Sequence, residues 1–219
     1  MNAEVVGNTR VETGKAERAN GGQMALIKIG HLLRAGTTGF VAGCSVSQLE
    51  APALGALVRA PLDSDYSVYG LIYDIHIDDD GLVRQLVTAG KISAEVMHDN
   101  RERRIVPVEM SVLAVGYEQD GKISHLLPPR PPLSLDVIYL CPEAELVRFT
   151  DAGRFGYFRH ILQAKELPTG EVLAAHIRQA SAAHKGKEWG GRAAQELITL
   201  LRDDYPTLMA VLGALGEVN

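Results

Sequence analysis

Tyr66-Ser67-Val68-Tyr69-Gly70-Leu71-Ile72-Tyr73-Asp74-Ile75 reads as a β-strand, and it constrains everything around it. Successive strand residues point to opposite faces. Tyr69, Leu71, Tyr73 and Ile75 therefore share one face, and Val68, Gly70 and Ile72 share the other. Both faces are rich in apolar groups, so the strand is expected to be covered on both sides. Asp78-Asp79-Asp80-Gly81 breaks the chain sharply after it.

The neighbouring segments repeat the signal. Leu26-Ile27-Lys28-Ile29 opens a short strand, Gly36-Thr37-Thr38-Gly39 reads as a turn, and Phe40-Val41-Ala42 resumes the strand. Gly55–Arg59 is a third strand. Lys91–Arg104 reads as a helical insert, with Ile92 and Val96 four apart in a charged run. Ile105–Tyr117 returns to alternation, with Val106, Val108, Met110 and Val112 on one face. Asp120-Gly121 supplies the positive φ of a hairpin turn, and Ile123–Leu127 is the expected return strand. Pro128-Pro129-Arg130-Pro131-Pro132 lacks all but one amide donor and forms a rigid extended crossing. Val137-Ile138-Tyr139-Leu140 closes the set. Short strands in regular succession, with one helical insert, predict a small antiparallel β-barrel or a tightly curled sheet.

After Pro142 the period becomes helical. Phe155, Phe158, Ile161 and Leu162 form one stripe. Thr169 stands where an N-cap belongs, before Val172, Leu173, His176, Ile177 and Ala180 on one face. Ala193–Asp203 is a third helix with Leu197, Leu200 and Leu201 inward, and Pro206 begins a last short one. Each of the four is too short to stand alone and must pack. The fold class is α+β: a leader over 1–23 expected to be disordered, a barrel over 24–142, and a bundle of short helices over 143–219.

Of the 219 residues, 46% are hydrophobic and 22% charged, sufficient for a proper core. The formal charge is −5. All of that excess lies in residues 24–150, which hold 16 acids and 11 bases. An acidic barrel repels phosphate backbones. Cys44 and Cys141 lie far apart in no CxxC spacing, as in a reducing cytoplasm. No apolar run approaches the roughly 18 residues of a membrane span, and the N-terminus has no signal-peptide order. The expected location is cytoplasmic.

Catalytic and cofactor motifs do not emerge. Each Gly-Lys pair is followed by Ala16, Ile92, Ile123 or Glu188, so no Walker A phosphate loop forms, and Gly-x-Gly-x-x-Gly does not occur. Gly43-Cys44-Ser45-Val46-Ser47 begins like a nucleophile elbow, but Ser47 replaces the closing glycine. Counting Gly81 as position six of a calcium loop puts His76 and Val87 where carboxylates are needed. His31, His76, His98, His125, His160, His176 and His184 show no metal-ligand spacing. No cofactor or metal is expected. Arg101, Arg103 and Arg104 form the densest basic cluster, read first as a solvated helix end and otherwise as a phosphate or acidic-partner contact. Tyr69 and Tyr73 are read first as core tyrosines, with base stacking as the alternative.

The order of β segments resembles the HAS barrel. The residues that carry the likeness are Ile29-Gly30, Leu57-Val58, Val68–Ile75, Leu113-Ala114-Val115-Gly116-Tyr117 and the run Pro128–Pro132. The likeness spans roughly residues 25–141. It departs where the family has a proline–glycine pair and this chain has Leu133-Ser134-Leu135-Asp136. HerA-type DNA translocases and rotary ATP synthase catalytic subunits share that barrel and use it as an assembly collar or docking platform, ahead of an ATPase. Here a helical tail follows, as in stand-alone HAS-barrel proteins. The resemblance implies a docking role.

The functional expectation is a non-catalytic interaction or assembly module that docks a protein partner, or a second copy, through its barrel. Candidate contacts are Arg101, Arg103, Arg104, Pro129, Arg130, Pro132, Tyr69 and Tyr73. The alternative is a nucleic-acid-binding accessory protein acting with a translocase or nuclease.

Overall fold

A computed structural model of the chain describes residues 26–47, 52–77, 88, 105–165, 167–185 and 187–216. The expected leader over 1–23, the acidic break at 78–81 and the helical insert over 91–104 lie outside the described residues.

Seven strands follow one another: β1 (Ile27–Ala35), β2 (Gly39–Ser47), β3 (Leu57–Asp63), β4 (Tyr66–Ile77), β5 (Ile105–Gln119), β6 (Lys122–Ser124) and β7 (Val137–Leu140). The sheet runs β2-β1-β7-β3-β4-β5, and β2 pairs with β5 from Gly39↔Leu113 to Ser47↔Ile105. That ladder closes six strands into an antiparallel barrel and removes the open edges that would invite pairing with other chains. The short β6 hangs on β5 through the two-residue turn Asp120-Gly121, whose φ values are 51° and 75°. β7 fills the gap between β1 and β3, so the proline crossing delivers the closing strand.

Both faces of the wall are covered, as the β4 pattern requires. Val68, Ile72, Met110, Val112, Leu32, Phe40 and Ile138 fill the barrel interior. Tyr69, Leu71, Leu57 and Val115 face outward beneath the helices. The alternation is corrected at Ile75, which packs inside the barrel instead of beside Tyr73. Between Ile72↔Val112 and Asp74↔Ser111 the strand carries one extra residue, Tyr73, and this bulge shifts every later side chain to the other face.

Five α-helices occur among the described residues: α1 (Glu143–Asp151), α2 (Phe158–Gln163), α3 (Thr169–Ala183), α4 (Lys187–Leu200) and α5 (Tyr205–Gly216). The expectation of four misses a break. A 3-10 turn at Ala152–Phe155 puts Gly153, Arg154 and Phe155 at positive φ and separates α1 from α2. Phe155, Phe158 and Ile161 are nonetheless buried together with Phe149, Leu173 and Leu197. Thr169 is not the N-cap. Pro168 occupies that place, and the Thr169 hydroxyl lies 3.5 Å from the Leu167 carbonyl. Leu197 and Leu201 point inward, but Leu200 is exposed.

The joint between barrel and helices is specific. Gly55 has φ +76°, and a Cβ there would stand 2.7 Å from the His176 amide nitrogen. Only glycine meets both conditions. The Gln179 amide donates to the Leu54 carbonyl at 2.8 Å in the same joint.

Candidate functional site

The proline crossing is anchored at both ends and exposed between them. His125 is buried against Phe149 and Tyr157, with ring centroids 4.7 and 4.9 Å away. Its Nε2 lies 3.0 Å from the Phe149 carbonyl oxygen. Its own carbonyl accepts from Arg159 Nη2 at 2.7 Å and from His160 Nε2 at 2.9 Å. Pro128 and Pro132 are buried. In mid-crossing the Tyr66 hydroxyl donates to the Arg130 carbonyl at 3.0 Å. The Arg130 guanidinium stands 5.0 Å over the Tyr66 ring and 3.3 Å from Asp63 Oδ2.

Beyond Pro132 the chain folds into a bonded turn. The Leu133 amide donates to Asp136 Oδ2 at 2.7 Å, and the Leu135 amide donates to the Leu32 carbonyl at 2.8 Å. The Leu32 amide returns a bond to the Asp136 carbonyl at 2.9 Å. Leu135 is held at φ +72°. A left-handed backbone costs a residue with a Cβ roughly 1–2 kcal/mol.

This anchored strip displays four leucines: Leu126, Leu127, Leu133 and Leu135 are 55%, 41%, 65% and 78% exposed. Exposed Leu33 lies on the strand to which the turn is bonded. Prolines and hydrogen bonds have already removed much of the strip's freedom, so covering it would cost little further conformational entropy.

Among the expected contacts, Pro129 and Arg130 are exposed on this strip. Pro132 is buried and serves as an anchor, which corrects its assignment as a contact. Tyr69 is corrected likewise: it is fully buried and reaches no partner. Its hydroxyl sits 2.7 Å from Glu145 Oε1 and 2.8 Å from Glu118 Oε2, sharing its single proton between them. Arg148 grips Glu118 in a bidentate pair at 2.6 and 2.8 Å and donates to the Tyr69 hydroxyl at 3.1 Å. Arg59 Nη1 approaches Glu145 Oε1 to 3.0 Å. Burial and the two carboxylates push the Tyr69 hydroxyl far above its usual pKa, and Arg148 holds Glu118 below the usual carboxylate range. This network fastens α1 to β3, β4 and β5. Tyr73 is half-buried beside an open cleft. Arg101, Arg103 and Arg104 lie outside the described residues.

The interior histidines are packing groups. His176 Nδ1 lies 3.0 Å from the Gly55 carbonyl, which can only accept, so the proton is on Nδ1. Nε2 then accepts from the Tyr157 hydroxyl at 2.9 Å. Burial pushes the His176 pKa down to about 4 and lowers His125, His160 and His184 as well. His184 stacks on Trp189 at 5.0 Å and meets the Thr150 hydroxyl at 2.8 Å. Cys44 and Cys141 are free thiols whose pKa values are raised by burial. Among the described residues no three His, Cys, Asp or Glu side chains are placed to hold a metal ion. None of the described helices is long and apolar enough to cross a membrane. No family model matches the chain, and no curated protein matches it.

Proposed function

We propose that this chain is a non-catalytic, cytoplasmic docking module whose barrel presents the strip from Leu126 to Leu135 to a partner protein. One observation carries the reading: four large aliphatic side chains stand in solvent on a segment fixed by buried prolines and backbone hydrogen bonds. Covering a leucine recovers about 1.5–3 kcal/mol relative to leaving it wet. Leu135 stands at φ +72°, where glycine would relax the turn. The resemblance to the HAS barrel supports the same reading, since members of that family use the barrel as an assembly platform. The engagement of His125, His176 and His184 in packing hydrogen bonds supports a non-catalytic role.

The test compares the full chain with its Leu133→Ser, Leu135→Ser double variant as bait in cells of its source, with mild crosslinking. Each sample is divided into nuclease-treated and untreated halves and read by mass spectrometry. A stoichiometric protein that survives nuclease and falls at least about tenfold with the variant supports docking. Equal recovery by both baits removes the strip. Recovery that vanishes with nuclease replaces this reading with nucleic-acid binding.

A further inference from the structure

A cleft of about 630 Å³ opens where β5 changes partners. β5 is paired with β2 as far as Leu113 and with β6 from Tyr117 onward. The intervening stretch is covered by the β1–β2 turn on one side and by α2 with its following linker on the other. The bulge that makes Tyr73 an extra residue in β4 aims its side chain at this gap. Leu113, Leu127 and Leu167 contribute apolar surface. Leu127 also belongs to the exposed strip, so cleft and strip are continuous.

Among the described residues the polar lining is one-sided. Arg34, Thr38, Tyr73, Ser111, Gln163 and Lys165 surround the cleft. None of these six side chains has a hydrogen-bond or ion-pair partner among the described residues. Every one of them can donate. No carboxylate lines the cleft among the described residues, although the chain as a whole carries −5. His160 completes the rim as a neutral ring: its Nε2–H is spent on the His125 carbonyl, and burial lowers its pKa. Two cations, donors unpartnered among the described residues and leucine surface form a complement to alternating acidic and apolar side chains.

We infer that this cleft receives an acidic, leucine-bearing segment of the partner protein, seated in continuity with the leucine strip. The inference rests on the docking reading and names the chemistry of the partner. A nucleic-acid strand is a poorer occupant. Among the described residues it would meet only Arg34 and Lys165 as cations in the cleft, and the Tyr73 ring that faces the cleft is half-buried against the core shared with the helices.

Fluorescence anisotropy on the full chain at low ionic strength tests this directly. The probes are labelled extended peptides of about ten residues in which leucine alternates with glutamate, lysine or serine, plus labelled oligothymidylate. The glutamate peptide should bind at least about tenfold more tightly than either other peptide. That preference should disappear in the Arg34→Glu, Lys165→Glu variant and fall in the milder Arg34→Gln, Lys165→Gln variant. Equal affinity for the three peptides overturns the inference, as does an unchanged preference in both cleft variants. Binding of oligothymidylate in place of the glutamate peptide also overturns it. Labelled decanoate, run as a further probe, that binds while no peptide does would show a small-anion site and overturn it too. If the peptides are not discriminated but partner capture still depends on Leu133 and Leu135, only this inference falls. If the glutamate peptide is selected while capture ignores those leucines, the strip falls and the cleft stands.

Discussion

Acidification should weaken this fold by a specific amount traceable to His176. The ring is fully buried, donates Nδ1–H to the Gly55 carbonyl, and accepts the Tyr157 hydroxyl proton at Nε2. Protonation would place a hydrogen on Nε2, facing a donor, and a charge inside an apolar core. Burial holds its folded pKa at about 4 against 6.5 for the free ring. The folded pKa is the lower one. Between pH 6.5 and pH 4, therefore, the unfolded chain binds a proton that the folded chain refuses, and stability falls as the pH falls. At ~1.36 kcal/mol per pKa unit, the full contribution is about 3 kcal/mol, present at pH 7 and lost by about pH 4. Urea unfolding of the wild type and of His176→Gln, followed by far-UV circular dichroism across this range, isolates the effect. Carboxylates and the other histidines titrate in both proteins and cancel in the difference. The variant should be less stable at pH 7, and the gap should narrow by about 3 kcal/mol by pH 4. Parallel pH curves would refute the assignment of a neutral, Nδ1-protonated His176.

Other substitutions probe separate joints. Tyr69→Phe removes the proton shared by Glu118 and Glu145 and should cost about 1–3 kcal/mol in denaturant unfolding, without altering partner capture. Gly55→Ala forces a Cβ against the His176 amide at positive φ and should cost at least about 2 kcal/mol. Leu135→Gly should have effects of opposite sign. Relief of the left-handed strain, partly offset by glycine's larger unfolded-state entropy, should raise stability by about 0.5–1 kcal/mol, while loss of the side chain weakens partner capture.

Much of the barrel is legible from alternation alone. β4 and β5 carry apolar groups at every second position, and Asp120-Gly121 announces its own turn. What the pattern cannot show is register. The bulge at Tyr73 is invisible in the sequence because any side chain can be the extra one, and it reverses the facing of Ile75. β6 ends at Ser124, two residues after it begins, because His125 turns inward to the Phe149 carbonyl, a tertiary bond with no local signature. The break between α1 and α2 had a signal in Gly153 and Gly156, outweighed by the apolar stripe Phe155, Phe158, Ile161 and Leu162. Of the candidate site, the proline run was recognisable, and with it the rigidity of the crossing. Its leucines were not, because Leu126 and Leu127 read equally well as the end of a buried strand. Pro132 was assigned outward for want of any sign that it anchors the wall, whereas Tyr69 is the core tyrosine of its first reading and not a contact.

Site-directed photocrosslinking tests the docking claim most directly. A photoreactive amino acid placed at Leu133, on the strip, is compared with the same group at exposed Ile198 on α4. Irradiation in source cells should attach a single protein partner at position 133 and none at position 198. Attachment at 198 alone, or the same products from both positions, would contradict a barrel that docks through its leucine strip.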